Sequence, residues 1–352
     1  MDYTIDDLLK EAQQRKASDL HITVGVSPKC RINGELDDLL YPALSPADTE
    51  ELIMSIIPQG MKDTLMAKGE VDFSYSIPSH GRYRVNIYKQ RGSYAAAIRI
   101  ININIPSPDM LGLPSSVVEL TNKKKGLVLV TGPTGSGKST TLASLIDIIN
   151  TNRNAHVITL EDPIEYLHRH KKSVVNQREI GLDSLSFSNA LRVILREDPD
   201  VILIGEMRDL ETIEIALTAA ETGHLVFSTL HTIGAVNTLD RIIDVFPPHL
   251  QQHIRIQLAS VVEGIISQQL IPTIDQTGRV AAYEIMLSNP AIRNLIREGR
   301  NHQIASHIQT SRKLGMQTMD DAILELYNSG KIGKEEAISF AQDMTTMERK
   351  IN

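Results

Sequence analysis

Cysteine, surplus basic charge and long apolar runs are all scarce in this sequence, and each scarcity closes off a class of function. One cysteine, Cys30, in 352 residues allows neither an internal disulfide nor a four-thiolate zinc site, and it points to a reducing compartment. Lys and Arg number 36 against 43 Asp and Glu, a net charge of −7. General affinity for nucleic acid or anionic lipid is therefore not expected, which leaves room only for a local basic patch. No apolar run approaches the length that spans a bilayer. The opening MDYTIDDLLKEAQQRK is acidic and amphipathic, where a signal peptide is basic and then apolar. Neither a repeat nor a low-complexity segment occurs, and the expected location is cytoplasmic unless a partner recruits the protein.

What remains is an ordinary globular composition, 41% hydrophobic and 22% charged, at a length that suggests two or three units. Residues 1–105 read as a small α+β unit. Thr4 caps a helix over about 5–17, an Asn33-Gly34 pair signals a hairpin, a helix lies near 46–57, and VDFSYSI, GRYRVNIYKQ and SYAAAIRIINI read as strands. The stretch 106–114, rich in Pro and Gly, reads as a linker. From 115 to 285 apolar strands (GLVLVTG, HVITLE, DVILIGE, HLVFSTLH) alternate with helical stretches, the pattern of an α/β fold with a parallel sheet covered on both faces. Residues 286–352 read as helices only, one opened by a Thr318-x-x-Asp321 capping box and stopped at Gly330.

The segment GPTGSGKS (132–139) follows an apolar strand and opens a helix, the context in which G-x-x-x-x-G-K-[ST] binds a nucleoside triphosphate. Gly132, Pro133, Thr134, Gly135, Ser136 and Gly137 would curl their N–H groups around phosphate oxygens at the positive end of that helix. Lys138 would neutralise the β- and γ-phosphates, Ser139 would ligate Mg²⁺, and Thr140 completes the binding segment. The expected cofactors are ATP and Mg²⁺. In DPDVILIGE (198–206) four aliphatics end in Gly205, where a metal-linked Asp is usual, and Glu206 follows at the carboxyl end of the strand. Glu206 is the candidate for orienting or activating the attacking water, against the blander alternative of a solvated strand-end charge. In LEDPIEY (160–166), Glu161 can hold Mg²⁺ through water in place of the missing Asp, or simply cap the next turn. In TGHLVFSTLHT (222–232), His224 and His231 flank a strand without further ligands nearby, which argues against zinc. His231 is the better candidate for sensing the γ-phosphate; His224 is assigned to nucleotide binding, with a purely structural hydrogen bond as the alternative.

In RYRVNIYKQRGSYAAAIR a two-residue loop at Arg91-Gly92 places Arg84 directly opposite Arg99 on one sheet face, with Arg82 diagonal to Arg99. Opposed like charges destabilise a sheet, so an anion is expected between them. Charge supplied from outside a P-loop domain to the γ-phosphate is one use; a solvated basic face is the other.

These segments together resemble one family. LREDPDVILIGEMRD (195–209), EDPIEY, TLHT, the phosphate loop and ASDLHI (17–22) occur in the order found in the secretion and type IV pilus ATPases. The resemblance spans essentially the whole chain. It implies a PAS-like first domain, a RecA-like P-loop ATPase domain and a homo-hexameric ring, with nucleotide reached by first-domain arginines matching Arg84 and Arg99. The Gly205-Glu206 ending is shared by the family, and Arg192 and Arg208 match family arginines near the subunit boundary without a settled role. The chain lacks the amino-terminal extension and the four-cysteine element of the extension and type II secretion motors. AIRNLIREG (291–299) and the downstream GMQTMDDAILELYNSGKI are similar to the retraction motors, the PilT group of twitching motility. The implied function is ATP-driven pilus retraction at the inner face of the cytoplasmic membrane. The implied partners are an inner-membrane platform protein and, indirectly, the pilus base, with no nucleic acid. An extension or secretion motor and a weakly active regulatory paralogue are the alternatives.

Within SNPAIRNLIREG (288–299) the helix signals are Asn289 as cap, Pro290 and a Gly299 stop, with Ile292, Leu295 and Ile296 facing inward. Arg293 and Arg297 repel each other at a spacing of four, and Glu298 opposes the helix dipole. These charges are therefore expected to face a partner.

Overall fold

The computed structural model describes residues 3–32, 34–78, 80–101 and 104–352. They divide into two compact units, Met1–Asn104 with Glu165–Leu167, and Ile105–Ile164 with His168–Asn352.

In the first unit, helix α1 (Ile5–Gln14) is opened by a reciprocal box, Asp7 N–H to Thr4 Oγ1 at 3.3 Å and Thr4 N–H to Asp7 Oδ2 at 2.9 Å. Ile5, Leu8, Leu9 and Ala12 are buried along its inner stripe. It ends three residues earlier than expected because Lys16 takes a left-handed φ of 58°. Strands β1 (Asp19–Ile22), β2 (Lys29–Ile32) and β3 (Glu35–Asp38) follow, then α2 (Pro46–Ile56), α3 (Gln59–Lys68), β4 (Glu70–Ile77), β5 (Gly81–Gln90) and β6 (Ser93–Ile101). Helix α3 has a weak apolar stripe, burying Leu65 alone, and the periodicity of the sequence does not reveal it. Asn33 lies outside the described residues; on either side of it Ile32 pairs with Glu35. The strands form one antiparallel sheet in the order β3-β2-β1-β6-β5-β4. The β5–β6 register is the one deduced from the hairpin: Gln90 opposite Ser93, and Arg84 opposite Arg99. Arg91 and Gly92 turn the chain at φ 48° and 80°.

The second unit opens with α4 (Pro108–Leu111) and α5 (Ser115–Val118), inside and just after the stretch read as a linker. That stretch is ordered rather than loose: Leu113 is buried, and Tyr283 Oη donates to the Leu111 carbonyl at 2.9 Å. Next come β7 (Gly126–Thr131), α6 (Lys138–Asn152), β8 (His156–Glu161), β9 (Val174–Glu179), α7 (Phe187–Ile194), β10 (Val201–Ile204), α8 (Leu210–Glu221) and β11 (Leu225–Leu230). After them come α9 (Ala235–Asp244), α10 (Pro248–Val261), β12 (Val262–Pro272) and β13 (Arg279–Leu287). The sheet order is β13-β12-β7-β11-β10-β8-β9, parallel throughout except for the β12–β13 pair. Apolar clusters cover both faces, which is why β7, β10 and β11 are buried at every position. This is the RecA-like α/β arrangement, extended by β9, β12 and β13, which the strand reading of the sequence did not include.

The chain ends in α11 (Pro290–Arg297), α12 (Ile304–Thr310), α13 (Met319–Asn328), α14 (Lys334–Ser339) and α15 (Met344–Ile351). Thr318 Oγ1 accepts the Asp321 N–H at 3.2 Å, a one-way cap in place of the reciprocal box expected. Helix α11 begins at the Asn289 cap, with Ile292 and Ile296 fully buried. Two of its three charges make contacts within the chain. Arg293 donates to Ser288 Oγ at 2.9 Å, the Ser260 carbonyl at 2.8 Å and Glu263 Oε1 at 2.8 Å. Glu298 accepts from Asn294 Nδ2 at 3.0 Å and pairs with Arg300 at 3.2 Å. Arg293 is thus not the partner-facing charge expected of it, whereas Glu298 remains exposed. Among the described residues, no hydrogen bond or ion pair engages the Arg297 side chain.

Candidate active site

Strand β7 delivers the loop Gly132–Gly137 to the carboxyl edge of the parallel sheet, and α6 starts at once with Lys138. Gly132, Gly135 and Gly137 take φ of 142°, 78° and 86°, a region that side chains disfavour. Successive N–H groups can then converge on one centre at the positive end of α6. Pro133, Thr134 and Gly135 are exposed. Lys138 is buried, and its Nζ donates to the Gly132 carbonyl at 3.0 Å and the Pro133 carbonyl at 2.9 Å, which keeps its charge on the loop. Ser139 and Thr140 follow in the first turn of α6, both half-buried.

Glu206 leaves the end of β10 two residues beyond its last strand position. Its Oε2 lies 2.6 Å from Arg208 Nε and 3.3 Å from His231 Nε2. The other ring nitrogen of His231, Nδ1, lies 3.5 Å from Thr134 Oγ1. Three separate segments, the phosphate loop, the end of β10 and the turn after β11, are thereby brought together.

The position of the missing Asp is tightly packed. A Cβ at Gly205 would sit 3.2 Å from the Leu160 carbonyl oxygen and 3.4 Å from Glu161 Cα, so a side chain there would press on the backbone of β8. That backbone carries Glu161, half-buried, whose Oε1 accepts from Thr159 Oγ1 at 2.6 Å and Gln177 Nε2 at 3.1 Å. A carboxylate thus reaches the strand edge from the neighbouring strand. Gln177 in turn accepts the His168 N–H at 2.8 Å, which ties the acidic segment to β9.

His224 does not belong to this constellation. It precedes β11, and its carbonyl accepts the Gly126 N–H at 3.0 Å at the start of β7. Because β7 and β11 run parallel, that is the edge opposite the phosphate loop, about 20 Å away over six strand residues. Its Nδ1 lies 2.9 Å from the Ala219 carbonyl, where it closes the last turn of α8. Its assignment to nucleotide binding is corrected to this structural role.

In the first unit, Arg99 Nε donates to Asp19 Oδ1 at 3.1 Å across the β1–β6 pair. Asp19 is therefore a countercharge for Arg99 within the sheet itself. Arg84 is exposed beside it. Arg192 pairs with Glu211 and Arg208 with Glu206.

Two buried groups were missed from the sequence. The Gly234 N–H donates to Ser267 Oγ at 2.9 Å and the Ala235 N–H to Glu284 Oε1 at 2.7 Å, and Ser267 and Glu284 are register partners across β12 and β13. They anchor the turn that carries His231 to the sheet at the N-terminus of α9. Burial raises the Glu284 pKa. A lone Glu in an apolar strand (AAYEIML) was the available signal.

The family model described as type II/IV secretion system protein matches residues 1–339. The chain is 47% identical to the type IV pilus retraction ATPase PilT of Pseudomonas aeruginosa over 333 residues, 95% of this chain and 96% of that protein. It is 45% identical to a twitching motility protein of Neisseria gonorrhoeae over 345 residues, 98% of this chain and 92% of the relative. A crystal structure of the pilus retraction motor PilT with bound ADP matches it with a TM-score of 0.92 at 51% identity, covering 99% of each chain.

Proposed function

The chain belongs to the family of type II/IV secretion system proteins, and from that premise we propose that it is a motor ATPase that hydrolyses ATP to drive retraction of type IV pili. The observation that supports this best is the contact of His231 with both Thr134 and Glu206 beside a complete phosphate loop, in a chain similar along its length to pilus-retraction motors. Glu206 orients and deprotonates the attacking water, and His231 reports the state of the phosphate loop to that carboxylate. The loop N–H groups and Lys138 hold the phosphates.

Ser139 and Glu161 offer oxygen donors, which suits a magnesium ion. Among the described residues no group of three or more His, Cys, Asp or Glu side chains forms a metal centre of its own, so Mg²⁺ would be held jointly with the nucleotide phosphates, whose charge it offsets. Arg84 and Arg99 supply further positive charge to the γ-phosphate. The protein works as a homo-hexamer against an inner-membrane platform protein and associates peripherally with the membrane; no helix among the described residues is long and apolar enough to cross it.

The test has two arms. Purified protein is assayed for Mg²⁺-dependent ATP hydrolysis, and the gene is deleted in its host. Turnover together with an excess of surface pili that do not retract is the expected result. Loss of pili on deletion would make it an extension motor, and rings without turnover would make it a regulatory partner.

A further inference from the structure

Strand β12 lies parallel to β7 with Ser267 opposite Thr131, so the next residue, Gln268, stands beside the first glycine of the phosphate loop. Gln268 is 1% exposed, and both ends of its amide are used. Its Nε2 donates to the Ser136 carbonyl inside the loop, and its Oε1 accepts from Thr141 Oγ1 at 2.8 Å in the first turn of α6. The Ser136 carbonyl can only accept, so the amide orientation follows from chemistry.

The backbone makes the fit close. A Cβ at Gly132 would lie 2.2 Å from the Gln268 carbonyl oxygen, and one at Gly137 would lie 3.1 Å from Gln268 Nε2. Two of the loop glycines are therefore needed for the approach of this residue as well as for their own positive φ. A phosphate loop works only if its carbonyls point away from the anion while its N–H groups point toward it. Drawing the Ser136 carbonyl outward onto an amide that α6 holds in place does this.

We propose that Gln268 is the positioning residue of the phosphate loop, fixing the Ser136 peptide so that the loop is set for the phosphates of a nucleoside triphosphate before they arrive. The proposal rests on the ATPase reading above. Gln268→Met keeps the volume and removes both hydrogen bonds, leaving a buried carbonyl without its donor. Affinity for a fluorescent ADP analogue should fall roughly tenfold or more, and the KM for ATP should rise with it. Gln268→Glu sets a carboxylate against the Ser136 carbonyl when ionised but offers an O–H to it when protonated. Its affinity relative to wild type at the same pH should therefore recover as pH falls from about 9 to about 6, a relative gain that a general packing defect would not produce. Thr141→Val frees the other end of the amide and should weaken binding several-fold, which keeps the test open if Gln268→Met does not assemble.

Wild-type affinity in assembled Gln268→Met rings overturns the proposal. So does unchanged binding in Thr141→Val together with a pH-independent Gln268→Glu. Wild-type protein that binds no ADP analogue would overturn the ATPase reading as well, so the two failures are told apart by the wild-type control.

Discussion

His231 Nε2 stands 3.3 Å from Glu206 Oε2, and the same ring presents Nδ1 to Thr134 Oγ1 at 3.5 Å. One imidazole therefore touches both the carboxylate placed to activate water and the loop placed to hold phosphate. Glu206→Gln should keep ATP binding and lose turnover by a factor on the order of a hundred or more. His231→Ala should fall between that variant and the wild type, since it removes a contact to the carboxylate and leaves the carboxylate itself. Turnover and nucleotide affinity measured side by side on both variants check this, and a fully active Glu206→Gln rejects the assignment.

Arg84 and Arg99 face each other across β5 and β6, with Asp19 neutralising only Arg99. If they serve the γ-phosphate, Arg84→Ala and Arg99→Ala should each cut kcat strongly, up to about a thousandfold, in rings that still assemble. Asp19→Asn should leave turnover much less affected, because it removes a holding contact and no charge donor. Unchanged turnover in both arginine variants would show that the pair is only a sheet surface.

On α11 the two arginines should separate. Arg293→Ala removes three hydrogen bonds and leaves Glu263, which also pairs with Lys123 at 2.9 Å, short of a partner. It should cost roughly 1–3 kcal/mol of stability, seen as a lower Tm. Arg297→Ala should leave Tm and ATPase activity near wild type while impairing pilus retraction in cells, as expected of a charge with no partner among the described residues. A retraction-competent Arg297→Ala strain would move the coupling surface off this helix.

His168 gives the protein an acid-sensitive point. Its side chain is 3% exposed, Nδ1 has no hydrogen bond among the described residues, and burial pushes its pKa down to about 4 despite Asp147 at 4.0 Å. The unfolded chain binds this proton near pH 6.5 and the folded chain only near 4, so the contribution is present above that window and lost as pH falls through it. The loss amounts to about 3 kcal/mol. His168→Gln should therefore show a shallower fall in Tm between about pH 6.5 and 4 than the wild type; equal slopes would place the sensitivity elsewhere.

Features carried by neighbours in sequence were legible. The phosphate loop, its strand and its helix form one continuous segment, and the Arg84–Arg99 register followed from a two-residue turn and a period of two. The His231 position was legible for the same reason, since ligands gather at the carboxyl ends of parallel strands; that rule also sets His224 at the opposite edge. Strand β12 was not legible. Helix α10 runs into it without a breaker, and Ser267 and Gln268 interrupt its apolar run. Only neighbours more than a hundred residues away, Ser136 and Thr141, make a buried glutamine there intelligible.

By itself the sequence determined the chemistry: a glycine-rich loop before a lysine and a serine, and an acid at a strand end, carry their meaning in backbone conformation and local spacing. Tertiary structure decided which charges are free to act. Arg293 and Arg297 look alike in sequence, four residues apart on one helix, yet one is bound to Ser260 and Glu263 and the other is not. An ion pair depends on what a distant segment brings within about 4 Å, and that distance is set by packing rather than by order along the chain.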